Sequence, residues 1–225
     1  MTTRIIAVIH HRDDETSARN VAVAQAAGCA GVALIQMQGR DHEIERPAIE
    51  AKRAHPGLIV VANRLSAKAE DAIARDLDLG LDGTWSDDQV VSSSGPLSNA
   101  KGVESALEGA RKANPAFLFF ASVAFKTHAV EEDPEAAARE ASPFPWIVTT
   151  SGPATGTPPD AGKLRTMASQ VGRARLGVAS GIDPDNASIL LPHVGWALVA
   201  TGIGSDFHNL DPLKTRRLVE IASNR

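Results

Sequence analysis

Three glycine-marked turns follow short apolar runs in the last third of the chain, and turns of this kind can hold an anion. They lie at residues 151–156 (SGPATG), 180–181 (SG) and 201–204 (TGIG). Glycine lets the backbone approach a ligand closely, and N–H groups at a turn or helix start point at anions. Glycines after strands also serve tight turns alone. We predict a phosphate site built from four residues: Ser180, Gly181, Gly202 and Gly204.

Three titratable residues follow other apolar runs and are candidates for catalysis. His10 could act as a general acid or base, or could be a structural histidine bonded to a backbone carbonyl. Lys126 could bind a phosphate or carboxylate, which we favour, or form a Schiff base if desolvated. Asp87 could be a base or a ligand for a sugar hydroxyl, or it could cap a helix. Further polar residues near strand ends are predicted substrate contacts: Asn63, Thr150, Ser151 and His128.

Metal chemistry has less support from the sequence. His10, His128 and Asp87 could ligate a divalent metal, since ligands can converge from different strands. No compact ligand motif accompanies them, and no elbow motif supports a Ser/His/Asp triad. We therefore predict neither a metal nor a cofactor.

The elements that must position these residues alternate between apolar runs and amphipathic stretches. Strands are predicted at 4–9, 31–37, 58–62, 81–85, 116–125, 146–149, 175–179 and 196–200. Helices are predicted at 15–27, 43–54, 67–77, 103–113, 134–141, 160–171, 185–191 and 212–222. Strands that are apolar almost throughout are buried on both faces, which is typical of a parallel sheet.

Eight strand–helix units favour a closed (β/α)8 TIM barrel of the phosphate-binding type, forming a single domain over residues 1–225. The rival fold is a Rossmann-like sheet, but no G-x-G-x-x-G follows the first strand. In a barrel, the carboxyl ends of the strands face the active site, and the turns after the last two strands commonly hold phosphate. The serine-rich segment 89–100 could be a mobile lid on that face or a plain surface loop.

Composition excludes several classes of function. A net charge of -4 without a basic stripe argues against nucleic-acid binding. No apolar run is long enough to span a membrane, and the N-terminus lacks the pattern of a signal peptide. The single cysteine, Cys29, is predicted to be a packed thiol. We expect a cytoplasmic protein that could form a homo-oligomer.

Several of these segments resemble the BtpA family, a group of (β/α)8 barrels named for a member involved in photosystem I biogenesis. The resemblance is most specific at 149–160 (TTSGPATGTPPD) and 177–186 (GVASGIDPDN). It extends to VIH at 8–10, GLDGTW at 80–85 and FKTHA at 125–129. The chain departs from the family at 36–41 (QMQGRD), at Ser122 and at Thr127. The resemblance implies a barrel related to those that bind phosphosugars and phosphoribosyl compounds.

Two functions follow as hypotheses. The first is an enzyme acting on a small phosphorylated substrate, a phosphosugar or phosphoribosyl compound, by isomerisation, aldol-type cleavage or glycosyl transfer. The alternative is a non-catalytic assembly or stability factor, or a small-molecule sensor that keeps the phosphate site. An enzyme requires His10, Asn63, Asp87 and Lys126 to converge on one cavity, whereas a scaffold does not.

Overall fold

Eight parallel strands close into a barrel in the computed structural model, which describes residues 2–224. Each strand pairs with its predecessor in the chain, and the last strand pairs with the first. The predicted (β/α)8 architecture is confirmed. The strands are β1 (Arg4–His10), β2 (Gly31–Ile35), β3 (Ile59–Asn63), β4 (Gly83–Ser86), β5 (Leu118–Ser122), β6 (Ile147–Thr150), β7 (Leu176–Ala179) and β8 (Trp196–Val199).

Within residues 2–224, eight α-helices surround the barrel, and aspartate caps fix the starts of several. The Asp160 carboxylate accepts hydrogen bonds from the N–H groups of Gly162 and Lys163 at the start of its helix. Asp13 and Asp211 cap two other helices in the same way. The helices are α1 (Asp14–Ala27), α2 (Glu45–Ala54), α3 (Ala69–Asp78), α4 (Ala100–Ala113), α5 (Pro134–Ala141), α6 (Ala161–Val171), α7 (Ala187–Leu190) and α8 (Pro212–Ser223).

Strand alternation divides the core into two layers. In β1, Ile5 and Ile9 pack toward the helices, whereas Ile6 and Val8 pack inside the barrel. Successive side chains of a strand point to opposite faces, so His10 continues the inward series 6, 8, 10. The same reasoning places Asn63 inside, after Ile59 and Val61. The barrel interior is therefore apolar in its lower layers and polar at the carboxyl ends of these strands.

Two predicted strands end at least two residues earlier than expected, each for a local reason. The second stops at Ile35 because the Gln36 side-chain oxygen accepts the N–H groups of Gln38 and Arg40 and turns the chain. The fifth stops at Ser122, two residues before Ala124 takes a left-handed φ of 49°. None of the helices within residues 2–224 has the length and apolar run that a membrane-spanning helix needs.

Candidate active site

A cavity of about 220 Å³ opens at the carboxyl ends of the barrel strands. Its apolar part comes from residues of the barrel interior, including Val8, Ile35 and Leu198. Its polar lining includes side chains from the ends of five different strands: His10, Asn63, Asp87, Lys126 and Ser180. The structure thus brings together the three predicted catalytic residues and one of the four other predicted substrate contacts.

Strand register explains why the first of these residues meet. His10 pairs with Ile35, Ile35 with Asn63, and Asn63 with Trp85, so all four lie at one level of the barrel. Asp87 is two residues beyond Trp85 and lies above it on the same inward face. Pairing between strand backbones therefore fixes the floor of the site, and no flexible segment contributes to it.

Asn63 is the most deeply buried polar residue of the cavity, with no exposed surface. Its Nδ2 donates to Asp87 Oδ1 over 3.2 Å, whereas its Oδ1 has no hydrogen-bond partner within residues 2–224. A buried amide oxygen without a donor is costly unless something supplies one. Because this oxygen belongs to a cavity-lining side chain, a ligand hydroxyl or amine is the donor it fits.

Burial shifts the pKa values of Asp87 and His10, each in the direction of its neutral form. Burial raises the pKa of Asp87, against the opposing effects of the Asn63 hydrogen bond and the Lys126 charge. Burial also lowers the pKa of His10, helped by nearby His208 and Lys126. The pair can therefore include a neutral base and a carboxyl that gains a proton easily, which suits proton transfer.

The His10 ring is held in a defined orientation. Its Nδ1 lies 2.9 Å from the carbonyl oxygen of Phe207, and its ring stacks on the Phe207 ring at 4.1 Å. A carbonyl can only accept, so Nδ1 carries the hydrogen and Nε2 of the neutral ring is the acceptor. His10 is thus bonded to a backbone carbonyl, as one of the two interpretations expected, and it also lines the cavity, where its role as an acid or base stays a prediction.

Lys126 lies against a hydroxyl rather than a carboxylate. Its Nζ is 2.6 Å from Ser180 Oγ and 5.4 Å from the centre of the Phe125 ring. Burial lowers the pKa of Lys126, and the Asp87 charge opposes this only in part. Ser180 has a left-handed φ of 86°, one of two non-glycine residues within 2–224 with a positive φ. Such strain is often found where a side chain must be aimed at a ligand.

The predicted phosphate turns lie beside these groups, with one correction. Ser180, Gly181 and Gly202 line the cavity, together with Thr201, which belongs to the predicted turn 201–204 but not to the four predicted phosphate residues. Gly204 does not line it, because its N–H donates to Thr201 within a 3₁₀ turn and its backbone pairs with Leu210. A glycine that closes a turn is thus the correct interpretation for position 204.

The glycines of these turns are also required by contacts between loops. Gly181 has a φ of +71°, and a Cβ there would collide with the backbone of Pro158. A Cβ on Gly202 would collide with the carbonyl oxygen of Ile182. The loops after β6, β7 and β8 therefore pack backbone against backbone beside the cavity.

Three other predicted substrate contacts lie outside this cavity. Thr150 falls on the helix-facing side of β6 with Val148, and its hydroxyl donates to the Ala124 carbonyl. Ser151 Oγ accepts the Lys126 N–H and donates to the Gly152 carbonyl. His128 Nε2 lies 2.7 Å from the Asp87 carbonyl oxygen. In the structure these side chains hold the loops that carry Lys126 and Asp87.

A second cavity, of about 260 Å³, lies on the other side of Lys126 and contains a lysine that sequence reasoning missed. Lys163 in α6 donates from Nζ to the carbonyls of Ala124 (2.8 Å) and Ser151 (2.9 Å). Burial lowers the pKa of Lys163 to about 8. This side chain joins the loop after β5 to the loop after β6, close to where each leaves the barrel.

The segment 89–100 is not a lid in this structure. It forms a small hairpin in which Val91–Ser92 pairs with Gly95–Pro96, and Val90 and Val91 are fully buried. The Ser93 N–H donates to Glu131. Among the described residues, none from this segment lines the main cavity. The hairpin is an anchored surface feature beside the site.

Residues 2–224 contain no group of three or more His, Cys, Asp or Glu side chains placed to hold a metal ion. His10, His128 and Asp87, the potential ligands considered from sequence, do not form one, because His128 lines the second cavity.

Several proteins of known structure share this fold and have names that refer to phosphorylated compounds. Phosphoribosyl anthranilate isomerase from Thermus thermophilus aligns with a TM-score of 0.71 at 16% identity, over 99% of this chain and 100% of that one. A 3-hexulose-6-phosphate synthase aligns with a TM-score of 0.70 at 14% identity, over 97% and 99%. Thiamine phosphate pyrophosphorylase from Pyrococcus furiosus aligns with a TM-score of 0.63 at 15% identity, over 98% of this chain and 96% of that one. The chain matches no family model and no curated protein sequence.

These similarities, together with the closed barrel, define the class of fold. The protein is a (β/α)8 TIM barrel of the kind found in enzymes that handle phosphorylated small molecules. At these identities the likeness concerns the fold, and function must be argued from the site.

Proposed function

We propose that this protein is an enzyme acting on a small phosphorylated substrate, a phosphosugar or phosphoribosyl compound. The observation that carries the proposal is the convergence of His10, Asn63, Asp87 and Lys126 on one cavity, beside the turns after β7 and β8. Grouping so many polar side chains at one partly buried place costs stability unless a ligand uses them.

In this proposal the parts of the cavity have different roles. Ser180, Gly181 and Gly202 bind the phosphate, through the Ser180 hydroxyl and backbone N–H groups. Asn63 Oδ1 accepts a hydrogen bond from a substrate hydroxyl, which would satisfy an oxygen that lacks a partner. His10 and Asp87 transfer protons. Isomerisation, aldol-type cleavage and phosphoribosyl transfer are all compatible with these roles, since one phosphate site serves many chemistries.

The alternative, a non-catalytic assembly factor or sensor, is less well supported. A scaffold has no need for titratable groups that face an open cavity, and it gains stability when they are paired. No salt bridge involves His10, Asp87 or Lys126 in the part of the chain that the structure describes. Membership of the BtpA family is a further proposal, supported by the segments at 149–160 and 177–186 and by the barrel fold.

The test is thermal unfolding with a panel of ligands: inorganic phosphate, ribose 5-phosphate, phosphoribosyl pyrophosphate and unphosphorylated ribose. At a hundred times its dissociation constant, a ligand stabilises the folded state by about 2.7 kcal/mol. For a domain of this size, that raises Tm by about 5–10 °C. We expect this shift with at least one phosphorylated ligand and none with ribose.

Ser180→Gly is the most informative variant for this test. It removes the hydroxyl and relieves the left-handed backbone, so the unliganded protein should be more stable while its response to the ligand shrinks. Ser94→Ala, at an exposed serine of the hairpin, is the control and should respond as the wild type does. A panel in which no phosphorylated compound shifts Tm would contradict the proposal and favour the scaffold alternative.

A further inference from the structure

We infer that Lys126 is a covalent catalyst, forming a Schiff base with the carbonyl carbon of an open-chain phosphorylated aldose or ketose. This inference depends on the proposed function and narrows its substrate class to compounds with a free aldehyde or ketone. The sequence left two roles open for this lysine, anion binding and covalent chemistry, and the inference selects covalent chemistry.

The surroundings of Lys126 differ from those of the other partly buried lysines. Lys52 pairs with Asp82 at 2.6 Å, and Lys163 is held by two backbone carbonyls. Lys126 forms no salt bridge within residues 2–224, and its Nζ donates to the Ser180 hydroxyl. A hydroxyl can accept from an ammonium group or donate to a neutral amine, whereas a carboxylate would hold the lysine charged.

Burial shifts the same amine toward its reactive form. The Lys126 Nζ faces a largely apolar cavity wall that includes Phe125, and the pKa of Lys126 is lowered by desolvation. Only the neutral amine carries the lone pair that attacks a carbonyl carbon, so desolvation is the usual means of activating a lysine. Since a phosphate-binding lysine works best when charged, this environment suits covalent chemistry better than charge neutralisation.

The groups that imine formation requires are present in the same cavity. The Nζ lone pair attacks the carbonyl carbon and a C–N bond forms while the C=O π bond breaks. The nitrogen passes one proton to His10 Nε2, which gives it to the carbonyl oxygen, and the result is a neutral carbinolamine. The C–O bond then breaks, and the hydroxyl leaves as water with a second proton from the Asp87 carboxyl, whose pKa is raised by burial. The products are the protonated imine, one water molecule and the Asp87 carboxylate.

The strained backbone of Ser180 fits this role. With φ at 86°, Ser180 is held where its Oγ meets Nζ, although a glycine would adopt this conformation without strain. Strain at a residue whose side chain contacts a reactive amine is the pattern expected of a catalytic arrangement. The Ser180 hydroxyl would thus orient the amine lone pair toward the substrate carbon.

The experiment is reductive trapping. The full chain is incubated separately with dihydroxyacetone phosphate and with ribose 5-phosphate in the presence of cyanoborohydride, which reduces an imine to a stable amine. Intact mass should rise by the ligand mass less one oxygen atom, with about one adduct per chain, and peptide mapping should place it on Lys126. Lys126→Arg keeps the positive charge but cannot form an imine, so the adduct should fall at least tenfold.

Lys112→Arg, at an exposed lysine of α4, is the matched control and should keep the full adduct. The thermal shift of Lys126→Arg with the same ligand should stay close to that of the wild type, since phosphate binding does not require the amine. A wild-type shift without an adduct would overturn the Schiff base and leave the proposed function standing. An adduct that persists in Lys126→Arg would also overturn it, and the absence of both shift and adduct would overturn both proposals.

Discussion

The buried ion pair behind the cavity offers the sharpest test of the structure. Arg64 follows Asn63, so its side chain points outward to the helices, where Nε donates to Asp76 Oδ1 at 2.7 Å. The two side chains are 5% and 0% exposed. Arg64→Met keeps the length and apolar packing of the side chain but leaves the Asp76 carboxylate buried with only the Thr84 hydroxyl as a partner.

Removing one member of a buried pair costs about 3–5 kcal/mol, because the remaining charge is uncompensated. We expect a loss of this size in urea unfolding at pH 7.5, with the m-value unchanged. Arg46→Met is the matched control, since Arg46 makes a similar Nε contact to Glu50 at 2.9 Å but is 73% exposed. That variant should show no measurable loss, as exposed pairs contribute little.

Two further measurements separate the charge from simple packing. Burial raises the pKa of Asp76 to about 6 even with Arg64 present, so the variant should raise this pKa further. A carboxyl whose pKa is higher in the folded state than in the unfolded state makes the protein less stable as pH rises. Because this pKa should be higher in the variant than in the wild type, the stability cost of Arg64→Met should grow between pH 5 and pH 7.5. Adding Asp76→Asn should recover most of the loss. If Arg64→Met costs no more than Arg46→Met, or if its cost does not vary with pH, the reasoning is refuted.

Three other variants and reagents test separate parts of the structure. Gly202→Ala should destabilise the protein by about 1–3 kcal/mol in thermal unfolding, since its Cβ would meet the Ile182 backbone. The control Gly109→Ala, at a helix position with open space around it, should stabilise the protein slightly in the same measurement. Burial raises the pKa of Cys29 to about 12. The thiol of the native protein should therefore react with Ellman's reagent at least ~100-fold more slowly than that of the unfolded protein. Fast labelling of the native protein would show that the thiol is accessible. The lowered pKa of Lys163 means that the unfolded chain binds more protons between about pH 8 and 10, so wild-type stability should rise relative to Lys163→Gln over that range. A constant difference between these two proteins would contradict the burial of a charged lysine.

Much of the fold could be predicted from sequence because the strands are almost wholly apolar. Runs such as 4–9 and 196–200 have no other stable location than a sheet covered on both sides. The errors at strand ends arose from single residues: the Gln36 side chain turns one strand, and the left-handed Ala124 ends another. Neither effect has a periodicity, so pattern analysis does not detect it.

The site was predictable where a polar residue follows an apolar strand, and less so elsewhere. His10, Asn63 and Asp87 face the cavity because of their positions in or just after β1, β3 and β4. Thr150 lies away from the cavity for the converse reason. The sequence of its strand does not reveal which face is inward, and Thr150 shares the outward face of Val148. Lys163 could not be found, because it lies on a helix and its partners are backbone carbonyls of two other loops.

The backbone contacts among the loops after β6, β7 and β8 limit how this barrel can be re-engineered. Gly181 meets the backbone of Pro158, and Gly202 meets the backbone of Ile182, so the tightest contacts between these loops are with backbone atoms. Replacing one of these loops by a loop from another barrel would therefore create a clash or a gap where it meets the neighbouring loop. The segments 151–160, 180–186 and 200–204 should be exchanged together as one cassette. By contrast, residues such as Met37, which is 44% exposed at the cavity edge, can be varied singly. Libraries aimed at new substrates should concentrate on that side of the barrel.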